Sequence, residues 1–289
     1  MSGRLNRIAV SIAGAGHSGS TLLGLVLGAH SECVYLGEAK KSDFLFDEDK
    51  PLRKRVCKIC GPDCELWSRF TGPEPDLYEA LSRLTGRAVV IDSSKDVGWI
   101  RARRAEVVRA GGRHRVLFLT RDGRAVINSR ARKYGEEDAS ELIDEWLSKI
   151  EQTQALVREV GPDALQLRYE ELATEPERTM RRVCEHVGIE YEPDMLLYEG
   201  TLQHPLGGNT GTQSVVARAN GADARFAQVP ERSRDFYDAL DGGFALDLRW
   251  QSELDADLLR RFEARAGDVN EAFRWDASGA DDGGGVEHR

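Results

Sequence analysis

The sequence predicts an α/β protein, with a central parallel β-sheet flanked by helices. Short apolar segments of strand length alternate with longer helical patterns along the chain, an order typical of parallel sheets covered on both faces. The first of these segments leads into a glycine-rich loop and then an apolar helix, as in P-loop proteins. A chain of 289 residues, 40% hydrophobic and 31% charged, is typical of a globular protein with one large core.

The four predicted strands are short and apolar, as strands buried on both faces should be. They cover residues 7–13, 88–92, 115–120 and 165–168. Each is separated from the next by enough chain for a helical crossover, which parallel neighbours require.

Three later helices have recognisable ends. Asp138 caps a helix that continues to Gly161, a second helix lies between Pro176 and Gly188, and a third covers about residues 253–266. A short polar residue before the helix, proline in its first turn and glycine after its last residue are the usual signals. Apolar residues recur every three or four positions, so each helix should bury one face.

Residues 1–276 are expected to form a single domain. Residues of about 40–75 lack clear periodicity and are interpreted as an insertion over one end of the sheet. Residues of about 200–235, rich in Gly, Asn and Thr, are interpreted as a long loop or lid that serves the site. The Gly/Asp-rich tail, residues 277–289, is predicted to be disordered.

Charge and hydropathy argue against several classes of protein. The net charge of −9 argues against wholesale nucleic-acid binding, so an anionic ligand would need a locally positive pocket. No apolar stretch is long enough for an integral membrane segment, and the first apolar run is too short for a signal peptide. We therefore expect a cytoplasmic protein, and no feature indicates an oligomeric state.

Three of the five cysteines, Cys57, Cys60 and Cys64, are clustered. Their Cys-x2-Cys-x3-Cys spacing resembles part of a metal site, but zinc usually needs a fourth ligand and often a second cysteine pair. A disulfide or a redox role is a further alternative. We expect free thiols in a compact loop, with no metal.

The loop after the first predicted strand, residues 14–21, has the layout of a phosphate-binding loop, but Ser20 stands where nucleoside triphosphatases carry lysine. Backbone amides at the start of the next helix can still bind an anion. The lysine that grips the β- and γ-phosphates of a nucleoside triphosphate is missing. The loop therefore indicates a phosphate-like group on a nucleotide other than ATP.

Further polar residues follow the other predicted strands or the first helix, and open α/β sheets bind their ligands in such places. They are Glu38, Lys95 and, eight residues apart, Arg121 and Ser129. An arginine at a helix start suits a phosphate monoester, and a serine two turns later can add a hydrogen bond. Two separate anion sites fit a nucleotide with phosphates on both ends.

With these motifs in this order, the chain resembles the P-loop-type sulfotransferases that use 3′-phosphoadenosine 5′-phosphosulfate (PAPS), namely bacterial members related to the tyrosylprotein and heparan-type enzymes. His-Ser-Gly-Ser-Thr at residues 17–21 looks like the family's loop around the 5′-phosphosulfate. Arg121 and Ser129 resemble the pair that holds the 3′-phosphate, and residues 167–172 resemble a third family signature. The resemblance spans about residues 7–190 and implies the sulfotransferase fold.

The resemblance also implies the roles of the site residues. The contacts to PAPS would come from Gly16, His17, Ser18, Gly19, Ser20, Thr21, Arg121 and Ser129. Lys95 is expected to contact the transferred sulfuryl group. His17 stands where the family usually carries lysine or arginine, and it is expected to contact the leaving group or the phosphosulfate.

Glu38 matches the glutamate that takes the acceptor's proton in the tyrosylprotein and heparan-type branches, so it is the expected base. His204, in a glycine-rich stretch, is the alternative base. With Glu38, Lys95 and His17 as catalytic residues, the expected reaction moves a sulfuryl group from PAPS to a hydroxyl, and no metal is implied.

The expected acceptor is a small molecule, a carbohydrate or a lipid-linked metabolite, and the expected product of the donor is adenosine 3′,5′-bisphosphate (PAP). Two alternatives remain open. One is an ATP-dependent small-molecule kinase of P-loop type, against which Ser20 counts. The other is a non-catalytic nucleotide-binding protein, against which Glu38 and Lys95 count.

Overall fold

A computed structural model describes residues 3–72, 75–135, 138–240 and 243–275. In these residues five strands form one sheet in the order β2-β3-β1-β4-β5, and every pairing is parallel. The strands are β1 (Ile8–Ala13), β2 (Cys33–Tyr35), β3 (Val89–Asp92), β4 (Arg113–Thr120) and β5 (Ala164–Arg168). The predicted fold class is confirmed.

Helices follow or connect the strands. Within the described ranges they are α1 (Ser20–Gly28), α2 (Glu65–Ser68), α3 (Leu77–Thr85), α4 (Val97–Arg109), α5 (Gly123–Tyr134), α6 (Ala139–Val160), α7 (Tyr169–Thr174), α8 (Pro176–Val187), α9 (Thr210–Ala219), α10 (Arg234–Asp238), α11 (Trp250–Glu253) and α12 (Ala256–Asn270). No helix in these parts of the chain combines the length and the apolar character that crossing a bilayer requires.

Strand β4 illustrates why both faces of the sheet are covered. Leu117 and Leu119 belong to the large core that also contains the buried residues of α1, α3 and α8. Val116 and Phe118 point to the opposite face, where they pack with residues of α4, α5, α6 and α12. Because side chains alternate along a strand, a continuous apolar run contributes to two cores at once.

Strand β2 has no counterpart in the sequence prediction. It has three residues and lies at the edge of the sheet, where Cys33 pairs with Val89 and Tyr35 with Ile91. Three residues are too few to show a periodic pattern. Its presence means that Glu38, expected just past the first helix, actually follows the end of a strand.

The segment of about residues 200–235 is not the long loop that the sequence predicts, because it contains α9 and part of α10. Asn209 caps α9 by accepting a hydrogen bond from the Thr212 amide. The polar and glycine residues that suggested a loop are concentrated in the turn and cap before this helix. Residues 40–72 consist of short 3-10 helices, turns and α2, and they bury Ile59 and Trp67 in the core.

Two of the three predicted helices agree with α6 and α8. The third, α12, begins at Ala256 because Asp255 accepts hydrogen bonds from the Asp257 and Leu258 amides, and it ends at Asn270, beyond the predicted end. The tail predicted to be disordered lies outside the described residues. That residues 1–276 form a single domain stays a prediction.

A buried carboxylate ties the end of β3 to its surroundings. Asp92 is 1% exposed, and its Oδ1 accepts hydrogen bonds from the Ala39 and Ser94 amides at 3.2 and 2.7 Å. Its Oδ2 accepts from the Tyr78 hydroxyl and from Trp99 Nε1, both at 2.7 Å. One side chain therefore fixes the backbone beside Glu38 and the backbone beside Lys95.

Replacing Asp92 with asparagine tests this anchor. In Asp92→Asn an amide NH₂ replaces one of the two acceptor oxygens, which leaves buried donors unpaired and costs about 1–3 kcal/mol. We expect a Tm several degrees below that of the wild type in a calorimetric or fluorescence melt. Asp194→Asn changes an exposed aspartate and serves as the control. Equal Tm values for both variants would contradict the assignment.

Candidate active site

A cavity of about 500 Å³ lies at the carboxyl edge of the sheet. This volume is in the range of small-molecule sites. The predicted site residues that line it are Gly16, His17, Gly19, Ser20, Thr21, Glu38, Lys95, Arg121 and Ser129. Ser18 is the exception, because its side chain is buried and is not part of the cavity wall.

Two glycines shape the loop between β1 and α1. Gly14 has a φ of +128°, and a Cβ there would lie 2.3 Å from the Leu119 carbonyl oxygen. Gly19 has a φ of +88°, and its Cβ would lie 2.5 Å from Tyr169 Cδ2. Both positions exclude a side chain, so the loop can lie close against β4 and α7.

His17 and Lys95 share an unusual backbone conformation. Their φ values are +69° and +60°, and no other non-glycine residue in the described ranges has a positive φ. This left-handed region is uncommon for residues with a side chain and tends to be found at functional sites. Both residues were predicted to act in catalysis, and both line the cavity.

The two predicted anion-binding motifs are in direct contact. Arg121 Nη1 donates a hydrogen bond of 3.0 Å to the His17 carbonyl oxygen. The His17 ring nitrogen Nδ1 is 2.9 Å from Ser129 Oγ. The loop after β1 and the helix start after β4 therefore form one continuous surface, although more than a hundred residues separate them.

His17 is neutral in this environment. Burial, followed by the positive charges of Lys133 and Arg130, lowers the pKa of the His17 imidazole from 6.5 to about 3. At neutral pH the ring therefore carries no fixed charge, unlike the lysine or arginine that the family resemblance leads one to expect at this position.

Arg121 is almost fully buried at 7% exposure. Its guanidinium lies 4.4 Å from the centre of the Tyr169 ring, and Nη2 is 3.3 Å from the Asp247 carboxylate. Its Nε has no hydrogen-bond partner among the described residues. Burial would raise the pKa of Asp247, but Arg249 and Arg121 outweigh it and bring that pKa to about 2.

Glu38 lies between two lysines. Its Oε1 is 3.2 Å from Lys95 Nζ and its Oε2 is 2.5 Å from Lys41 Nζ. Burial would raise the pKa of Glu38, but Lys95 and Lys41 outweigh it and keep the pKa below its usual value. Glu38 is thus ionised at neutral pH and able to accept a proton.

The alternative base, His204, does not line the cavity. Its Nδ1 lies 3.2 Å from Cys60 Sγ and 3.3 Å from Cys64 Sγ. The cavity wall therefore contains Glu38 but not its rival.

The cavity has the local positive charge that an acidic protein would need to bind an anion. Its wall, as far as the chain is described, carries two acidic residues, Glu38 and Asp247, against seven cationic ones. The cationic residues are Lys95, Arg121, Arg130, Arg132, Lys133, Arg232 and Arg249.

Sequence reasoning missed several residues of this wall. Arg132 and Lys133 lie one helical turn after Ser129 on α5, and that spacing could have suggested them. Asp247 and Arg249 carry no such signal, because they reach the cavity from a distant part of the chain through tertiary folding.

Comparisons with known proteins agree with this fold. The sequence model of the sulfotransferase family matches residues 105–193, which include Arg121 and Ser129. A comparison with curated protein sequences gives no significant match.

Solved structures that are similar over most of this chain include three sulfotransferases. The sulfotransferase domain of the Synechococcus PCC 7002 olefin synthase is 19% identical, with a TM-score of 0.56 and coverage of 95% of this chain and 97% of that one. The sulfotransferase domain from the curacin biosynthetic pathway is also 19% identical, with a TM-score of 0.54 and coverage of 91% and 98%.

The third is mouse sulfotransferase SULT7A1, solved in complex with PAP. It is 10% identical, with a TM-score of 0.52 and coverage of 93% of this chain and 90% of that chain. The resemblance predicted from the sequence is thereby confirmed: the chain has the sulfotransferase fold and carries the sequence pattern of the sulfotransferase family over residues 105–193.

Proposed function

We propose that this protein transfers a sulfuryl group from PAPS to a hydroxyl group of a small-molecule, glycan or lipid-linked acceptor. One observation carries the proposal above the others. The contacts of His17 with Arg121 and Ser129 join the two predicted phosphate-binding motifs in the cavity that also contains Glu38 and Lys95. The PAP bound to the mouse sulfotransferase, which has the same fold, supports the choice of donor.

The residues of the cavity fit a nucleotide with two anionic ends. Arg121 has a buried Nε without a hydrogen-bond partner in the described chain. His17 links it to Ser129, because the His17 carbonyl oxygen contacts Arg121 and the His17 ring contacts the Ser129 hydroxyl. In the proposal these two residues hold the 3′-phosphate, because a planar guanidinium matches phosphate oxygens. The amides of the loop at the start of α1 hold the 5′ end, where a helix N-terminus favours negative charge.

The donor supplies the sulfuryl group and leaves as PAP. Glu38 accepts the proton of the acceptor hydroxyl, and its ionised state suits this role. Lys95 stabilises negative charge on the sulfuryl oxygens. When Lys95 turns from Glu38 towards these oxygens, Glu38 loses one of its two cations, so its pKa rises and it becomes a stronger base.

His17 offers a neutral ring rather than a fixed cation. Its contact with Ser129 orients the imidazole beside the proposed 3′-phosphate site, and its backbone carbonyl orients Arg121. An anionic donor stabilises the protonated ring, so donor binding would draw a proton to His17.

The proposed contact between Arg121 and the 3′-phosphate can be tested by removing the guanidinium. Arg121→Ala should weaken PAP binding by about 30-fold or more, because it removes a charged partner from a desolvated site. Isothermal titration calorimetry measures the affinity, and circular dichroism checks that the variant is folded. Arg109→Ala, which removes an exposed arginine on α4, is the control. An unchanged Kd for Arg121→Ala would refute this role.

The proposed role of Glu38 as the base can be tested by removing its charge. Glu38→Gln should lower turnover by about 100-fold or more while PAP affinity stays unchanged. Transfer of labelled sulfate from PAPS to acceptors in a cell extract measures turnover. Glu185→Gln, at an exposed position, is the control. Near-normal turnover of Glu38→Gln would place the base elsewhere.

The same assays separate the alternatives. A kinase would bind ATP with Mg²⁺ rather than PAP in the calorimetric titration, and a non-catalytic binding protein would bind PAP without transferring sulfate.

The charge of the His17 ring can be measured with and without PAP. Since its folded-state pKa lies far below 6.5, its ring should stay neutral between about pH 5 and 8 in the free protein. Saturating PAP adds negative charge nearby and should shift the titration midpoint upwards. NMR of labelled histidine follows the ring, and His17→Gln assigns its signal. A titration midpoint near pH 6.5 without PAP, or no shift of the midpoint with PAP, would contradict a neutral His17 ring beside the proposed 3′-phosphate site.

A further inference from the structure

We propose that Cys57, Cys60, Cys64 and His204 form a structural zinc site. These residues each offer one ligand atom, and the four atoms lie within 4.8 Å of one another. A tetrahedral zinc ion with Zn–S bonds of about 2.3 Å and a Zn–N bond of about 2.0 Å places its ligand atoms about 3.5–3.8 Å apart. The thiols and imidazole are therefore close to the positions that a bound ion requires.

The structure supplies the fourth ligand, which the spacing of the three cysteines in the sequence did not reveal. His204 lies far along the chain from the cysteines, yet its Nδ1 faces Cys60 and Cys64. All five cysteines lie in the described part of the chain, and none of them forms a disulfide there. Three thiolates and one imidazole complete a four-coordinate set, which is typical of structural rather than catalytic zinc.

The burial of the cluster also favours a structural role. Cys57 and Cys64 are fully buried, at 0% and 1% exposure, and Cys60 and His204 are half-buried. A buried site with four protein ligands leaves no open position for a reacting water. Thiolate and imidazole ligands favour zinc over magnesium or calcium, which prefer oxygen.

The turn around Cys57 points one amide at the cluster and closes with a backbone hydrogen bond. The Cys60 amide lies 3.4 Å from Cys57 Sγ, and the Gly61 amide donates to the Cys57 carbonyl at 3.1 Å. Gly61 has a φ of +76°, which a glycine adopts without strain. The hydrogen bond from the Cys60 amide to the Cys57 sulfur orients this ligand atom.

His204 is itself held in place. Its carbonyl oxygen accepts a hydrogen bond of 2.7 Å from Trp67 Nε1. The neighbouring Pro205 carbonyl accepts one of 2.9 Å from the Lys58 amide. Two hydrogen bonds thus fasten the segment that carries the cysteines to the segment that carries His204.

The site would also fix the position of Glu38. Two residues after His204, the Leu206 amide donates to the Leu36 carbonyl at 2.8 Å, and the Glu38 amide donates to the Leu206 carbonyl at 2.5 Å. A Cβ on Gly207 would lie 2.7 Å from Glu38 Oε2. Zinc would therefore anchor the segment against which the carboxylate of Glu38 is placed.

The binding of zinc at this site needs no oxidant or reductant. Zn²⁺ enters as the three thiols release their protons to solvent, and the imidazole binds in its neutral form. No bond is oxidised or reduced. The inference is independent of the proposed reaction, because zinc content and stability are measured without PAPS.

The experiment uses the full chain, purified without a metal-binding tag from cells grown with added zinc. Elemental analysis should find about one zinc ion per chain. His204→Ala and Cys60→Ser should each reduce the content below about a tenth of an ion. Cys184→Ala and His186→Asn change a cysteine and a histidine outside the cluster, and they should retain zinc.

A second measurement on the wild type covers the case in which a ligand variant fails to fold. A strong chelator should lower the Tm, and added zinc should restore it. Cobalt should replace zinc and give the intense visible bands of a tetrahedral site together with thiolate-to-cobalt charge transfer. Loss of these bands in His204→Ala would identify the histidine as a ligand.

Several outcomes would overturn the proposal. They are a zinc-free wild type that gives no cobalt spectrum, zinc content unchanged in both ligand variants, a disulfide among the three cysteines in the intact mass, or iron in place of zinc. In each case the PAP-binding and sulfate-transfer assays would still judge the proposed reaction separately.

Discussion

The buried carboxylate of Asp92 is the constraint on which the site depends. It lies at the end of β3, which runs between β2 and β1, and it is satisfied by backbone and side-chain donors on both sides. A charge this deep in the protein is stable only when such donors surround it. Since Ala39 and Ser94 are among them, the same interaction sets the spacing between Glu38 and Lys95.

Charge compensation organises the rest of the cavity. Glu38 offsets Lys95 and Lys41, and Asp247 offsets Arg121 and Arg249. Each pair keeps a cation in a fixed place at the edge of the sheet. The excess of positive charge in the wall then provides a field for an anion, even though the protein as a whole is acidic.

Much of this arrangement could be predicted from local sequence. The four apolar strands that were predicted, the capped α6 and the glycine-rich loop each carry a signal within a few residues of themselves. The edge strand β2 carries none, because three residues cannot show periodicity. Helix α9 was not predicted because the residues of its cap and preceding turn are also typical of loops.

What the sequence could not reveal depends on contacts between distant segments. Asp247 reaches Arg121, and His204 reaches Cys60, only because the chain after α8 folds back over the carboxyl edge of the sheet. Local patterns contain no information about such pairings. Neutral His17 is a similar case, since its protonation state follows from burial and from surrounding cations, and both arise only in the folded protein.

The left-handed backbone at residues 17 and 95 limits which side chains can evolve there. Asparagine, aspartate and histidine enter this conformation with less difficulty than other residues, whereas β-branched side chains are strongly disfavoured in it. Variation at these two positions is therefore restricted by steric rules as well as by chemistry. A valine at position 17 would alter the direction of the carbonyl that meets Arg121 before any change in polarity mattered.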